Sequence, residues 1–216
     1  MNTLLAPWML VGLTLANPPA TEVHSYVYQP AFELDERLRL PARPYRPQPG
    51  DIIMAANNDI RSVIGHILAG SGYPNHSMIV FARPDGTLAI LEAGPHGALK
   101  EGVSIVEMWP HVRKYEAVGR VWVRARKIPL TAEESARLTE FVYMQAGKKF
   151  PKFRVYAQVT PLRSKMPLTA ALRGRPDYDK PGYFCSELVM NACSYVGLID
   201  AELARPTATY PRDILL

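Results

Sequence analysis

Cys185 stands where an extended segment, Tyr183-Phe184, gives way to an amphipathic run from Ser186 to Val196 that Gly197 closes. A cysteine in the first turn of such a helix faces unpaired backbone N–H groups and the positive end of the helix dipole. Both stabilise a thiolate relative to a thiol, whose ordinary pKa is ~8.5. Leu188, Val189, Ala192 and Val196 follow at three, four, seven and eleven positions, so the cysteine shares the stripe that faces the core. A cysteine on an apolar face is commonly just a small buried hydrophobe, and Cys193 fits that description. Cys185 fits it less well, because helix starts ordinarily carry Ser, Thr, Asp or Asn. Eight residues of helix would hold the two sulfurs about 12 Å apart, which excludes a disulfide between them.

A reactive thiolate needs a base and a group that orients the base. Among the five histidines, His76 opens the strand-like run Ser77-Met78-Ile79-Val80-Phe81-Ala82, and Arg83-Pro84-Asp85-Gly86-Thr87 follows as a turn signal. The return strand is Leu88-Ala89-Ile90-Leu91-Glu92-Ala93. A three-residue loop, Pro84-Asp85-Gly86 with Gly86 left-handed, pairs Arg83 with Thr87 and sets Met78 opposite Glu92. His76 and Glu92 then project from one face as diagonal neighbours, whereas a two-residue loop would send Glu92 to the other face. A carboxylate ending an apolar strand calls for a partner. Cys185, His76 and Glu92 thus supply nucleophile, base and orienter. His24, His66, His96 and His111 show no comparable pairing. No His and carboxylate cluster has zinc-site spacing, so neither a metal nor another cofactor is expected.

Four segments in order, Gly50-Asp51-Ile52-Ile53, Asn75-His76-Ser77-Met78-Ile79-Val80, Leu91-Glu92-Ala93-Gly94-Pro95 and Tyr183-Phe184-Cys185-Ser186-Glu187-Leu188-Val189, carry a resemblance. The chain resembles the circularly permuted papain-like amidases of the YiiX/YaeF type, a branch of the NlpC-type cysteine peptidases related to lecithin:retinol acyltransferase. The resemblance implies a permuted papain-like fold with a small antiparallel sheet against the helix that bears the nucleophile. It also implies Cys185 as nucleophile, His76 as base and Glu92 as third member, with the cysteine last in the chain. One stretch departs from the family. After its middle helix the family tends to carry Gly, Pro, Tyr and Asp, where this chain has Gly147-Lys148-Lys149-Phe150-Pro151-Lys152-Phe153, so substrate specificity does not carry over.

The elements that must position these residues read as α+β, strands first and helices later. At 216 residues and 48% hydrophobic, the chain suffices for one core. The segment 1–16, apolar from Leu4 to Ala16 and broken at Asn17-Pro18-Pro19, is too short to span a bilayer and is expected to be a signal peptide, which places the protein in the periplasm or outside the cell. Residues 17–49, rich in proline, are expected to wrap the surface ahead of a hydrolase domain over 50–216. Within that domain a short helix is expected over Asp59 to Ala69, and strands over Val103 to Val106 and Ala117 to Arg124. Thr131-Ala132-Glu133-Glu134 is a capping box opening a helix to about Gln145, with Gly147 beyond it.

Between Lys148 and Pro181, nine basic residues stand against two acidic ones, a local charge of +7 where the whole chain has +5. A long cationic connection before the nucleophile suits a lid or substrate wall for an anionic partner such as a lipid headgroup or cell-wall polymer, with peripheral membrane contact. Lys148, Lys149 and Lys152 at its start are the candidate substrate-binding residues. Nucleic acid is not expected, because no recognition motif accompanies the charge.

The chemistry expected is hydrolysis of a peptide or lipid-linked amide through an acyl-cysteine. The N–H of Cys185 would receive the oxyanion, and Tyr183 would serve as a second donor or support. A lipid acyltransferase would use the same triad, and water or a second substrate reaching the acyl-enzyme would separate the two. A non-catalytic envelope-binding module is the reading from another class, and loss of a triad residue would be its signature.

Overall fold

The computed structural model describes residues 24–26, 43–56, 71–94, 102–118, 121–151, 153–154 and 174–215. The expected signal segment, the helix expected over Asp59 to Ala69, and Lys152 lie outside them. Strands β1 (His24–Tyr26) and β2 (Arg43–Tyr45) form a two-stranded antiparallel ribbon. Five further strands, β3 (Ile52–Ala55), β4 (His76–Ala82), β5 (Leu88–Gly94), β6 (Gly102–Glu107) and β7 (Val121–Arg124), make one antiparallel sheet in the order β6-β5-β4-β3-β7. Four helices are described: α1 (Met108–Val118), α2 (Ala132–Gln145), α3 (Cys185–Val196) and α4 (Pro211–Leu215). The α+β class read from the sequence holds.

Alternation along the strands gives the sheet two covered faces. Ile79, Phe81, Ala89, Leu91, Val103 and Trp122 point to one face, where α2 and α3 pack through Leu138, Phe141, Leu188, Val189 and Ala192. Ile53, Met78, Val80, Ile90 and Val123 point to the other, which α1 covers through Met108, Val112 and Tyr115. A sheet covered on both sides explains why its strands are almost uninterruptedly apolar. The polar residues among them, His76, Ser77, Glu92 and Ser104, are buried and therefore conspicuous.

The turn is the three-residue form. Arg83 N–H donates to the Thr87 carbonyl at 2.7 Å, Gly86 has φ 82°, and Met78 lies opposite Glu92. Thr131 and Glu134 form the expected capping box on α2, and Gly197 closes α3 in the left-handed region with φ 87°.

Two expectations need correction. The strand foreseen from Ala117 to Arg124 is described over Val121–Arg124, and Ala117 and Val118 belong to α1. Pro110 lies in the first turn of that helix, where its missing N–H removes no intrahelical bond. Within the stretch expected to wrap the surface, Tyr45 is instead buried in the α1-side core, and its hydroxyl donates to Asp51 at 2.7 Å. Asp51 also accepts from the main-chain N–H groups of Gln48 and Arg126, tying the start of β3 to the chain before it and to the exit from β7. The aspartate of Gly50-Asp51-Ile52-Ile53 is thus structural.

Candidate active site

His76 is the first residue of β4 and Glu92 lies late in β5, so the hairpin register alone brings them together on the α1 face. His76 Nε2 lies 2.9 Å from Glu92 Oε2, with both side chains buried. An ionised carboxylate only accepts, so Nε2 carries the proton it donates, and Nδ1 is left to face the other way. Cys185 lies against His76, and the two side chains interact. The thiol arrives from the opposite side of the sheet. Helix α3 packs on the far face, and its N-terminus comes up to the end of β4, where the main-chain N–H and hydroxyl of Ser77 also stand beside the sulfur. A histidine at the end of a strand can thus pack against α1 and still be reached by a helix on the other face.

The three sequence-predicted triad residues are therefore brought together, and their electrostatics are coupled. Burial opposes ionisation of Cys185, but the hydrogen bond and charge of His76, with Ser77 alongside, bring the thiol below its ordinary pKa. For His76, burial alone would lower the pKa. The Cys185 sulfur and Glu92 outweigh that and raise it well above the usual histidine value. Burial would also raise Glu92, yet the imidazoles of His111 and His76 hold its carboxyl at about 2. The directions are mutually supportive: each shift favours the charged form of its group beside the other two. Cys193 is the opposite case, buried and pushed up to about 11 by its surroundings.

His111 corrects the expectation that no other histidine has a comparable pairing. Its Nε2 lies 2.9 Å from the same Oε2 of Glu92, a contact that helps hold the carboxyl ionised. Tyr115, one helical turn on, stacks its ring on His76 at 5.3 Å and meets His111 edge-on at 5.2 Å. Met108, His111, Val112 and Tyr115 fall at i, i+3, i+4 and i+7. That spacing is the sequence signal from which the pair was recoverable.

Tyr183 supports the site and is not placed as an oxyanion donor. Its ring is fully buried, and its hydroxyl is engaged by the preceding turn, donating to the Asp177 carbonyl at 3.1 Å and accepting from Lys180 N–H at 3.2 Å. The Cys185 N–H remains the candidate, since the first N–H groups of a helix have no intrahelical acceptor. The two described lysines act on the site through their backbone. Lys149 N–H donates to the Pro181 carbonyl, Tyr183 N–H donates to the Lys149 carbonyl, and Val103 N–H donates to the Lys148 carbonyl. This strap ties the free edge of β6 to the segment that delivers Cys185. It runs so close to Gly182 that a Cβ there would lie 2.2 Å from the Lys149 oxygen. The Lys148 side chain lies over the Tyr183 ring and near Asp179, while Lys149 is exposed.

Beneath Cys185, Glu187 is fully buried and accepts from Arg154 at 2.7 Å and Lys180 at 2.8 Å through one oxygen, and from Phe184 N–H through the other. A buried carboxylate without such partners would be costly. Here it anchors the approach to the helix and holds Arg154 and Lys180 against its first turn. Among the described residues no group of three or more His, Cys, Asp and Glu side chains is arranged to hold a metal ion, and no helix is long and apolar enough to cross a membrane.

No protein-family model matches the chain, and no curated protein matches it. Among solved structures the chain is similar to the crystal structure of the metalloprotein YiiX from Escherichia coli O157:H7, at 18% identity over 76% of this chain and 79% of that one, with a TM-score of 0.48.

Proposed function

We propose that this chain is a cysteine-dependent amide hydrolase on a circularly permuted papain-like (NlpC-type) fold, cleaving a peptide or lipid-linked amide through an acyl-cysteine. The observation that carries the reading is the continuous array of Cys185, His76 and Glu92, with the thiol at a helix N-terminus and His76 Nε2 2.9 Å from the carboxylate. Cys185 is partly exposed, as a nucleophile must be.

In this reading the Cys185 thiolate attacks the carbonyl carbon, and the oxygen takes up negative charge near the Cys185 N–H. The His76 imidazolium gives its Nδ1 proton to the leaving nitrogen, the C–N bond breaks, and the amine departs from a thioester. The now neutral His76 takes a proton from water as the water attacks the thioester. The tetrahedral adduct collapses to the free acid and the thiolate, with the proton back on His76. Glu92 keeps Nε2 protonated and the ring in plane throughout, the role of the carboxylate in other triads. Such an enzyme would act in the periplasm or outside the cell, which rests on the apolar run before Ala16.

The test is incubation of intact and Cys185→Ala protein with a mixed lipid and peptidoglycan extract, followed by mass spectrometry of both protein and extract. The reading predicts a transient adduct on Cys185 and consumption of an amide in the intact protein only. Equal consumption by both proteins would contradict it.

A further inference from the structure

We infer that His111 is a positioning residue for the triad: it shares Glu92 with His76 and keeps that carboxylate ionised. The inference rests on the reading of Cys185, His76 and Glu92 as a triad and adds a residue from a separate element, α1, which the hairpin register does not supply. Three observations carry it. Both imidazoles bring Nε2 to the same oxygen, Oε2, at 2.9 Å each. Glu92 is 1% exposed and its second oxygen, Oε1, has no hydrogen-bond partner among the described residues, so the side-chain contacts described for this carboxylate are the two imidazoles at Oε2. Tyr115 contacts both rings, stacked on one and edge-on to the other, which fixes the two histidines relative to each other.

The physical argument follows from charge. A buried carboxylate with one donor resists ionisation, and a protonated Glu92 would accept from His76 Nε2 only as a neutral carboxyl. The ring would be held less firmly, and the imidazolium would lose its counter-charge. A second imidazole on the same oxygen adds attraction in a low-dielectric site, where such a contact is stronger than in water. The polar groups that act on Cys185 are His76 and Ser77, while His111 meets Glu92, so its effect passes through Glu92.

The test is a titration of the Glu92 carboxyl by carbon NMR in protein labelled at glutamate, with the Glu92 signal assigned by its loss in Glu92→Gln. His111→Leu removes the N–H at similar volume, and His111→Gln restores an N–H near the same place. The inference predicts that Glu92 in His111→Leu titrates at least ~1 pH unit higher than in the intact protein, and that His111→Gln recovers most of the difference. Should His111→Leu not fold, His111→Asn, whose shorter amide stops short of the carboxylate, takes its place. A merely structural His111 would lower the melting temperature and leave the Glu92 titration where it was. That result, or a Gln variant no different from the Leu variant, would overturn the inference. Alkylation of the same samples with iodoacetamide reports on the nucleophile separately. If Cys185 reacts no faster than Cys193, the hydrolase reading fails while the carboxyl titration still decides the coupling of His111 to Glu92.

Discussion

Replacing Glu92 by Gln removes one buried charge and leaves the shape, so its effect on stability should depend on pH in a way that can be worked from the site. Glu92 ionises at about 2 in the fold against its usual 4.5. A folded-state pKa below the unfolded one adds stability that is fully present above the unfolded value and is lost as pH falls through the folded value. At 1.36 kcal/mol per pH unit the fall from 4.5 corresponds to about 3 kcal/mol, all of it between about pH 5 and pH 2. Other carboxylates also protonate in that range, so the quantity to measure is the difference between intact protein and Glu92→Gln, which cancels them. Urea unfolding at a series of pH values from 7 to 2.5 gives it directly. The stability difference should move by about 3 kcal/mol against the intact protein as pH falls, or by about 6–12 °C of relative melting temperature for a chain of this size. At neutral pH the same substitution should slow turnover by about ten- to a thousandfold, because Gln still accepts a hydrogen bond but no longer holds an imidazolium by charge. Two stability curves that stay parallel across the whole range would refute the claim that Glu92 is held ionised by the histidines around it.

Iodoacetamide at neutral pH should modify Cys185 far faster than Cys193, because the first is partly exposed with a lowered pKa and the second is buried and pushed up to about 11; peptide mapping of a time course gives the ratio. Gly182→Ala should destabilise the fold by about 1–3 kcal/mol and slow alkylation of Cys185, since the new Cβ must displace the Lys149 backbone that seats the approach to α3; thermal unfolding and labelling rates check the two effects. Thr131→Ala removes the capping box of α2 and should cost about 1 kcal/mol in urea unfolding while leaving Cys185 reactivity unchanged.

The triad was legible because each of its members is fixed by local rules. Pro84-Asp85-Gly86 dictates the turn, the turn dictates the register, and the register puts His76 and Glu92 on one face. The helix from Cys185 to Gly197 was set by its stripe and its C-terminal glycine. Which face α3 covers was not legible, and neither was the arrival of its N-terminus at the end of β4, because that depends on packing between segments a hundred residues apart. Helix α1 escaped for a different reason. Trp109 and Pro110 break the visual pattern at its start, and the apolar stripe that would reveal it contains His111, a polar residue in a core-facing position. The oxyanion role first considered for Tyr183 failed on a hydrogen-bond count. Its hydroxyl already has a donor and an acceptor in the turn from Asp177 to Lys180. The lysines of Lys148-Lys149 read as charge in the sequence, whereas their described hydrogen bonds are those of the backbone, which joins a sheet edge to the segment that leads into Cys185.

The central claim is that Cys185 is a thiolate held by His76. Its most direct test is the ultraviolet thiolate absorbance followed as a function of pH, taken as the difference between intact protein and Cys185→Ser. The account predicts that Cys185 ionises below the ~8.5 of an ordinary thiol, and that His76→Ala returns it to that value or higher. A Cys185 that ionises at or above the ordinary value in the intact protein, or one whose ionisation His76→Ala leaves unmoved, would contradict it.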